Sequence, residues 1–170
     1  MSTTREDILN ALSALMGQAM VLSVVPIDEP EPSRWEAMIS GIGGQMQIQH
    51  AMAIQDGPPP DVLSFVRGPD DDACEELELE AVVAYAVQVK PAAGYSPEDS
   101  RRERRVLRDE AVKVIAHAIA VDRTLGLGGE VYADVRPAAR DDDVAFANAI
   151  PTATALVPIH VLYTAAHAAG

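Results

Sequence analysis

The side chains able to do chemistry are few and scattered. Histidines stand at 50, 117, 160 and 167, and no two share the spacing of a metal site. Cys74 is the single cysteine, so an internal disulfide is excluded, which fits a reducing compartment. Its acidic neighbours hold a thiol protonated, and no His/Asn partner pattern accompanies it, so a nucleophile is not expected there. The runs Asp70–Asp72 and Asp141–Asp143 offer oxygen ligands for a hard cation. They lack the glycine and the spaced ligands of a calcium loop, and they read as solvated loops. No nucleophile–base pair and no metal set can be drawn, so neither an enzyme nor a cofactor is expected.

The densest cluster is "RRERRVLR", with Arg101, Arg102, Arg104, Arg105 and Arg108 inside an otherwise acidic chain. It falls early in a helical pattern, where the helix dipole disfavours cations. One reading is a solvated face with Glu98, Asp99 and Glu103 as local partners. The other is a contact surface for something acidic. Residues 70–80 carry seven acids, Glu76, Glu78 and Glu80 among them, so a second copy of the chain is the nearest acidic partner. Opposite patches on one chain suit head-to-tail contacts, which close into rings. Asp122 and Arg123 join this candidate interface set.

The glycine-rich link "DRTLGLGGEV" lacks the lysine and hydroxyl of a phosphate loop. It follows a helix and precedes a strand, the reverse of the order a phosphate cradle needs. Leu125, Gly126, Gly128 and Gly129 are therefore expected to form a helix C-cap and a tight turn requiring positive φ. "GIGG" at 41–44 also fails the nucleotide pattern.

These residues must be positioned by a modest set of elements. A first helix, capped by Thr3 or Thr4 with Glu6 as a box partner to Thr3, runs to about Gln18 on Ile8, Leu12, Leu15 and Met16. "VLSVV" is a short strand ended by Pro26. "QMQIQHAMAI" alternates as a strand, with Met46, Ile48 and His50 on one side. A long strand runs from about Glu76 to Lys90, with Leu77, Leu79, Ala81, Val83, Tyr85, Val87 and Val89 on one side. It exceeds the usual five or six residues, so part of it is expected to project beyond the core. Ser96 caps a second helix with Pro97 at its first position, and Leu107, Ala111, Val114, Ile115 and Ala118 form its apolar stripe. Strands follow at 130–136 and 152–164. Loops are expected at 26–34, 56–76 and 137–143. The order predicts a single α+β domain over 1–170, with a mostly antiparallel sheet, two main helices on one face and a long projecting strand or hairpin.

Composition narrows the function classes. A net charge of −13 argues against holding nucleic acid by phosphate neutralisation, though not against letting it slide past. The first residues hold acids and no basic-apolar series, so no signal peptide is expected. From Val144 onward there is no Asp, Glu, Lys or Arg, but prolines and a strand-like pattern point to a buried strand rather than a membrane span.

Over residues 75–165 the chain resembles the tail terminator (tail completion) proteins of long-tailed phages and related gene transfer agents. The resemblance is carried by "LELEAVVAYAVQV", by "RRVLRDEAVKVIAHAIAVDRTLGLGGEV" and by the closing strand "PTATALVPIHVLYTA". The link at Asp122, Arg123, Thr124, Leu125, Gly126 and Gly129 is its most specific piece. The loops at 26–34 and 56–76 are long for that family. The resemblance implies a structural virion protein, assembled in the host cytoplasm and placed at the head–tail junction. It would form a hexameric ring that ends tail-tube polymerisation. Its partners would be its own copies, the tail tube protein and a neck or stopper protein, with DNA passing through the channel unbound. Two alternatives stay open: another neck component, such as a stopper or head–tail connector, and a nucleic-acid-binding module that uses the arginines.

Overall fold

The computed structural model describes residues 3–20, 24–27, 48–56, 61–67, 73–90, 96–145 and 151–166. The expected loop beyond Ile27, "GIGG" at 41–44, the prolines at 58–60, the acids at 70–72 and His167 lie outside them. Helix α1 spans Arg5–Met20 and buries Ile8, Leu12 and Met16, one residue per turn. Thr4 caps it, but its box partner is Asp7 rather than Glu6. The Thr4 N–H donates to Asp7 Oδ2 at 2.9 Å, and the Asp7 N–H donates to Thr4 Oγ1 at 3.2 Å. The Thr4 hydroxyl, which donates to Asp7 Oδ2 at 2.6 Å, and the Thr4 N–H hold the Asp7 carboxyl below its ordinary value.

Seven strands form one sheet: β1 (Val24–Ile27), β2 (Ile48–Asp56), β3 (Asp61–Arg67), β4 (Ala73–Val89), β5 (Val131–Val135), β6 (Ala139–Ala145) and β7 (Pro151–Ala166). Helix α2, Pro97–Val121, follows β4. The spatial order is β1-β2-β4-β7-β5, with β3 beside the first part of β4 and β6 beside the first part of β7. Among the described strands only β1 and β2 pair in parallel. The spine is the antiparallel pair β4–β7, in register from Cys74↔Ala166 to Gln88↔Thr152.

Three expectations change here. The first strand does not stop at Pro26 but runs through it, opposite Ile54. Pro26 sits on an edge strand, where a missing N–H breaks no ladder. The expected loop 56–76 contains β3, and β4 starts at Ala73. "DVLSFVR" gives no clean alternation, and its pairing with β4 slips between Val62 and Ser64. The expected loop 137–143 contains most of β6, although consecutive aspartates disfavour a strand.

The largest core cluster lies between the helices and one side of the sheet, and Ala51, Ala53, Ala84, Ala86 and Gln88 are buried on the other side. Leu77 through Val87 at odd positions of β4, Ala153 through Tyr163 at odd positions of β7, and Val131 and Ala133 of β5 meet Ile8, Leu12, Met16, Ala111, Val112, Ile115 and Ile119. With few aromatics, Tyr85 is the largest fully buried side chain among the described residues. Burial removes the alternative for its phenol: the Tyr85 hydroxyl and His50 Nδ1 share a hydrogen bond of 2.5 Å. Burial raises the Tyr85 pKa above its ordinary value and lowers that of His50, so the pair is neutral.

The inward stripe of α2 is Ser100, Arg104, Arg108, Ala111, Val112, Ile115 and Ile119. Leu107 and Ala118 flank it half-buried. The stripe predicted from apolar residues is thus rotated slightly, and its early turns are polar. Ile115→Ala is expected to destabilise the fold by about 2–5 kcal/mol, the cost of an unfilled cavity in a packed core. Val121→Ala, at a side chain 72% exposed, is expected to change stability by less than about 0.5 kcal/mol. Urea midpoints of the two variants check this.

Candidate functional site

Two groups of polar side chains stand out. The first is built by α2 and β6. Ser96 caps α2 as expected, accepting from the Asp99 N–H at 3.1 Å, and the helix carries its arginines toward the sheet edge. There Arg101 Nη2 and Arg104 Nη2 hold the two oxygens of Asp143 at 2.7 and 3.0 Å. Arg105 donates to Asp142 Oδ2 from both Nε and Nη2, at 2.7 and 2.6 Å. Arg108 Nη1 bonds Asp142 Oδ1 and the Asp141 carbonyl, while its Nε and Nη2 hold Asp109 Oδ1. Arg140 Nε reaches the same Asp109 oxygen at 3.4 Å.

In a regular strand, Asp142 and Asp143 would point to opposite faces. The β6–β7 register shifts between Asp141 and Val144, and this bulge turns both carboxylates toward α2. Arg104 and Arg108 are only 4% and 6% exposed, so they must be paired, because a buried unpaired charge is costly. Burial opposes ionisation of Asp142, but hydrogen bonds from Arg105 and Arg108 outweigh it, and its carboxyl lies below the ordinary value.

The arginines therefore find an acidic partner, and it lies in their own chain. Of the local partners weighed from sequence, only Asp99 enters, through its proximity to Arg102. Glu103 keeps a buried Oε2 without a hydrogen bond. Across α2 and β6 together, seven Lys and Arg face eight Asp and Glu, so this region is close to neutral. The partnership had a signal in the sequence: stepping back from Val112 by four and eight residues lands on Arg108 and Arg104.

The second group lies on the other side of the sheet. Glu76, Glu78 and Glu80 share that side at even positions of β4, with Thr164, Leu162 and His160 opposite them on β7. His160, which looked isolated, contacts Glu78 through Nε2 and lies in register between Glu80 and Asp134 of β5. The structure brings Glu76, Glu78 and Glu80 to this face and the arginines of α2 to the β6 edge, so the two sets do not meet within one chain.

The link closes a third feature. Asp122 ends α2, its N–H bonding the Ala118 carbonyl, and its carboxylate accepts from Thr124 N and Oγ1 at 3.2 and 2.8 Å. The Arg123 carbonyl accepts from Ala133 N–H at 2.7 Å, which covers part of the outer edge of β5. The Arg123 side chain lies over the Tyr132 ring, 5.3 Å from its centre, bonds the Tyr132 hydroxyl and stands 3.8 Å from Asp134. Leu125 (φ 54°), Gly126 (φ 70°) and Gly128 (φ 104°) supply the expected positive φ values, whereas Gly129 does not. A left-handed leucine costs about 1–2 kcal/mol. Burying its side chain gains about 1.5–3 kcal/mol, enough to hold Leu125 in place.

No protein-family model matches this chain, and no curated protein matches its sequence. Among the described residues, no group of three or more His, Cys, Asp or Glu side chains could hold a metal ion. Among them, too, no helix is long and apolar enough to cross a membrane.

Arg108→Ala is expected to destabilise by about 2–3 kcal/mol, since it removes the buried guanidinium that joins Asp142, Asp109 and the Asp141 carbonyl and leaves the two carboxylates to Arg105 and Arg140 alone. Arg102→Ala is expected to cost less than about 0.5 kcal/mol. Because the folded Asp142 carboxyl is the stronger acid, its contribution is complete above the unfolded carboxyl value, about 3.9, and is lost as pH falls through the folded value. Asp142→Asn should therefore flatten the acid limb of a stability–pH curve below about pH 4. At the link, Gly128→Ala is expected to cost about 1–2 kcal/mol and Gly129→Ala less than about 0.5, compared by thermal unfolding.

Proposed function

We propose that this chain is a structural protein of the tail-terminator kind, forming the six-fold ring that the resemblance implies, which caps a phage tail tube and joins it to the neck. The observation that carries the reading is the length and overhang of the central strand pair. β4 has 17 residues and β7 has 16, about three times the usual strand. The last buried core residues toward one end are Leu77 and Tyr163, with Ala165 packed half-buried next to them. Beyond them, Cys74–Glu76 and Thr164–Ala166 continue as a ladder with β3 alongside. Among the described side chains this overhang adds only Ala165 to the core of a lone domain, whereas a neighbouring subunit can pack on it.

In this reading the overhang makes the contact between copies. The arginine cluster is a less apt contact than its sequence suggests, because Asp142 and Asp143 already neutralise it. Arg101, Arg102 and Arg105 keep exposed surface and remain available at its margin. The same neutralisation disfavours a nucleic-acid-binding module. A net charge of −13 suits a channel wall that repels phosphate. On this proposal the protein sits at the head–tail junction of the virion, next to tail tube and neck proteins, and does no catalysis.

Negative-stain imaging of the purified chain mixed with the tail tube protein tests the proposal. Six-fold annular particles are expected, together with tails of abnormal length when the protein is missing. A chain that stays monomeric with the tube protein, and whose loss leaves tail length unchanged, would overturn it. Co-purification with portal-proximal proteins instead of the tube would assign it to a stopper or connector.

A further inference from the structure

We infer that the first turns of α2 enclose a binding site for a water molecule, formed by Ser100, Glu103 and Arg104, and that this water orients the guanidinium that holds Asp143. Three buried polar atoms stand there without a hydrogen-bond partner: Ser100 Oγ, Glu103 Oε2 and Arg104 Nε. Ser100 is 2% and Arg104 4% exposed, and all three atoms are essentially closed to solvent. Buried polar atoms are nearly always satisfied, by ordered water where protein groups do not reach. Three within five consecutive residues of one helix mark a single place rather than scattered defects.

Helix geometry gathers the three. At about 3.6 residues per turn, Ser100 lies between Glu103 and Arg104 around the axis and one turn nearer the N-terminus. Helical side chains lean toward the N-terminus, so Glu103 and Arg104 both extend over the turn that carries Ser100. Residues three and four apart have Cβ atoms about 5–6 Å from each other, within reach of one small molecule. The far end of Arg104 is fixed, since its Nη2 holds Asp143 Oδ1 at 3.0 Å. Swinging the guanidinium toward Glu103 would draw it off that bond.

The donors and acceptors select the ligand. Arg104 Nε–H only donates, the Glu103 carboxylate only accepts, and the Ser100 hydroxyl does either. An anion would meet the carboxylate, and a cation would meet the guanidinium. A neutral molecule that both donates and accepts fits all three, and closure to solvent restricts it to the smallest. About three hydrogen bonds is the usual number for a buried water. It accepts from Arg104 and donates to Glu103, with its third bond to Ser100. The guanidinium is then held from both sides, by Asp143 at Nη2 and by the water at Nε. The inference does not rest on the ring reading, and either test can fail without the other.

The Nε–H of Arg104 is the probe. In nitrogen-edited rotating-frame spectra of the full chain, it is expected to show a cross peak to water with the sign of close contact, opposite to that of proton exchange. Ser100→Val places an extra methyl group in the site and should weaken the peak by about fivefold or more, with folding checked by circular dichroism. Val106→Ala, on the exposed face of α2, should leave it unchanged. Absence of the peak in the wild-type chain would overturn the inference in favour of a direct bond to Ser100 or Glu103. A peak with the sign of exchange would overturn it as a site open to solvent. A peak that survives Ser100→Val at full strength would place the water elsewhere and overturn it too.

Discussion

Two guanidinium groups buried at the edge of a sheet set the terms for much of this molecule. Arg104 and Arg108 lie on the inward stripe of α2, where an unpaired charge would cost several kcal/mol. Their partners must come from what α2 faces, and what it faces is β6. Three consecutive aspartates are poor strand formers, yet they run as a strand here because the arginines neutralise them from the side. The bulge that interrupts β6 turns Asp142 and Asp143 to the same side. Arg108 also bonds the Asp141 carbonyl, so the helix covers part of the outer edge of β6.

Edge protection recurs at β5. There the link after α2 folds back and Arg123 offers its carbonyl to Ala133. Unpaired strand edges invite pairing with other chains. The two strands on the β7 side are thus shielded by elements that belong to α2 or follow it directly. The ends of β4 and β7 with β3 are left as an overhang. This asymmetry, one flank guarded and one end extended, links the packing of the helix to the proposal that copies meet at the overhang. The charge arithmetic points the same way. Several cations are spent on carboxylates within the chain, while Glu76, Glu78 and Glu80 stand together on one side of the sheet.

The sequence was most legible where one physical rule acted alone. Alternation over β4 and β7 gave strands whose odd positions do face the core. Ser96, Pro97 and Asp99 gave the start of α2, because capping satisfies orphan N–H groups locally. The positive-φ link was legible because glycine is chosen there for its backbone, not its surroundings. Legibility failed where two rules competed. Turn residues around "DVLSFVR" hid β3, and the charge of "RDDD" hid β6. The stripe of α2 was read from its apolar members only, so Arg104 and Arg108 were assigned to the surface.

The sequence by itself determined the α+β class, the two described helices with the cap of α2, the long strands and the acidic surplus. Each follows from local periodicity, local hydrogen bonding or simple counting. Tertiary structure alone decided which carboxylates the arginines meet, because Asp142 and Asp143 lie more than thirty residues away and compete with nearer acids. It also decided that His160 stands between Glu78, Glu80 and Asp134. That meeting depends on the register of three strands, and a slip of one residue would have sent His160 to the other face.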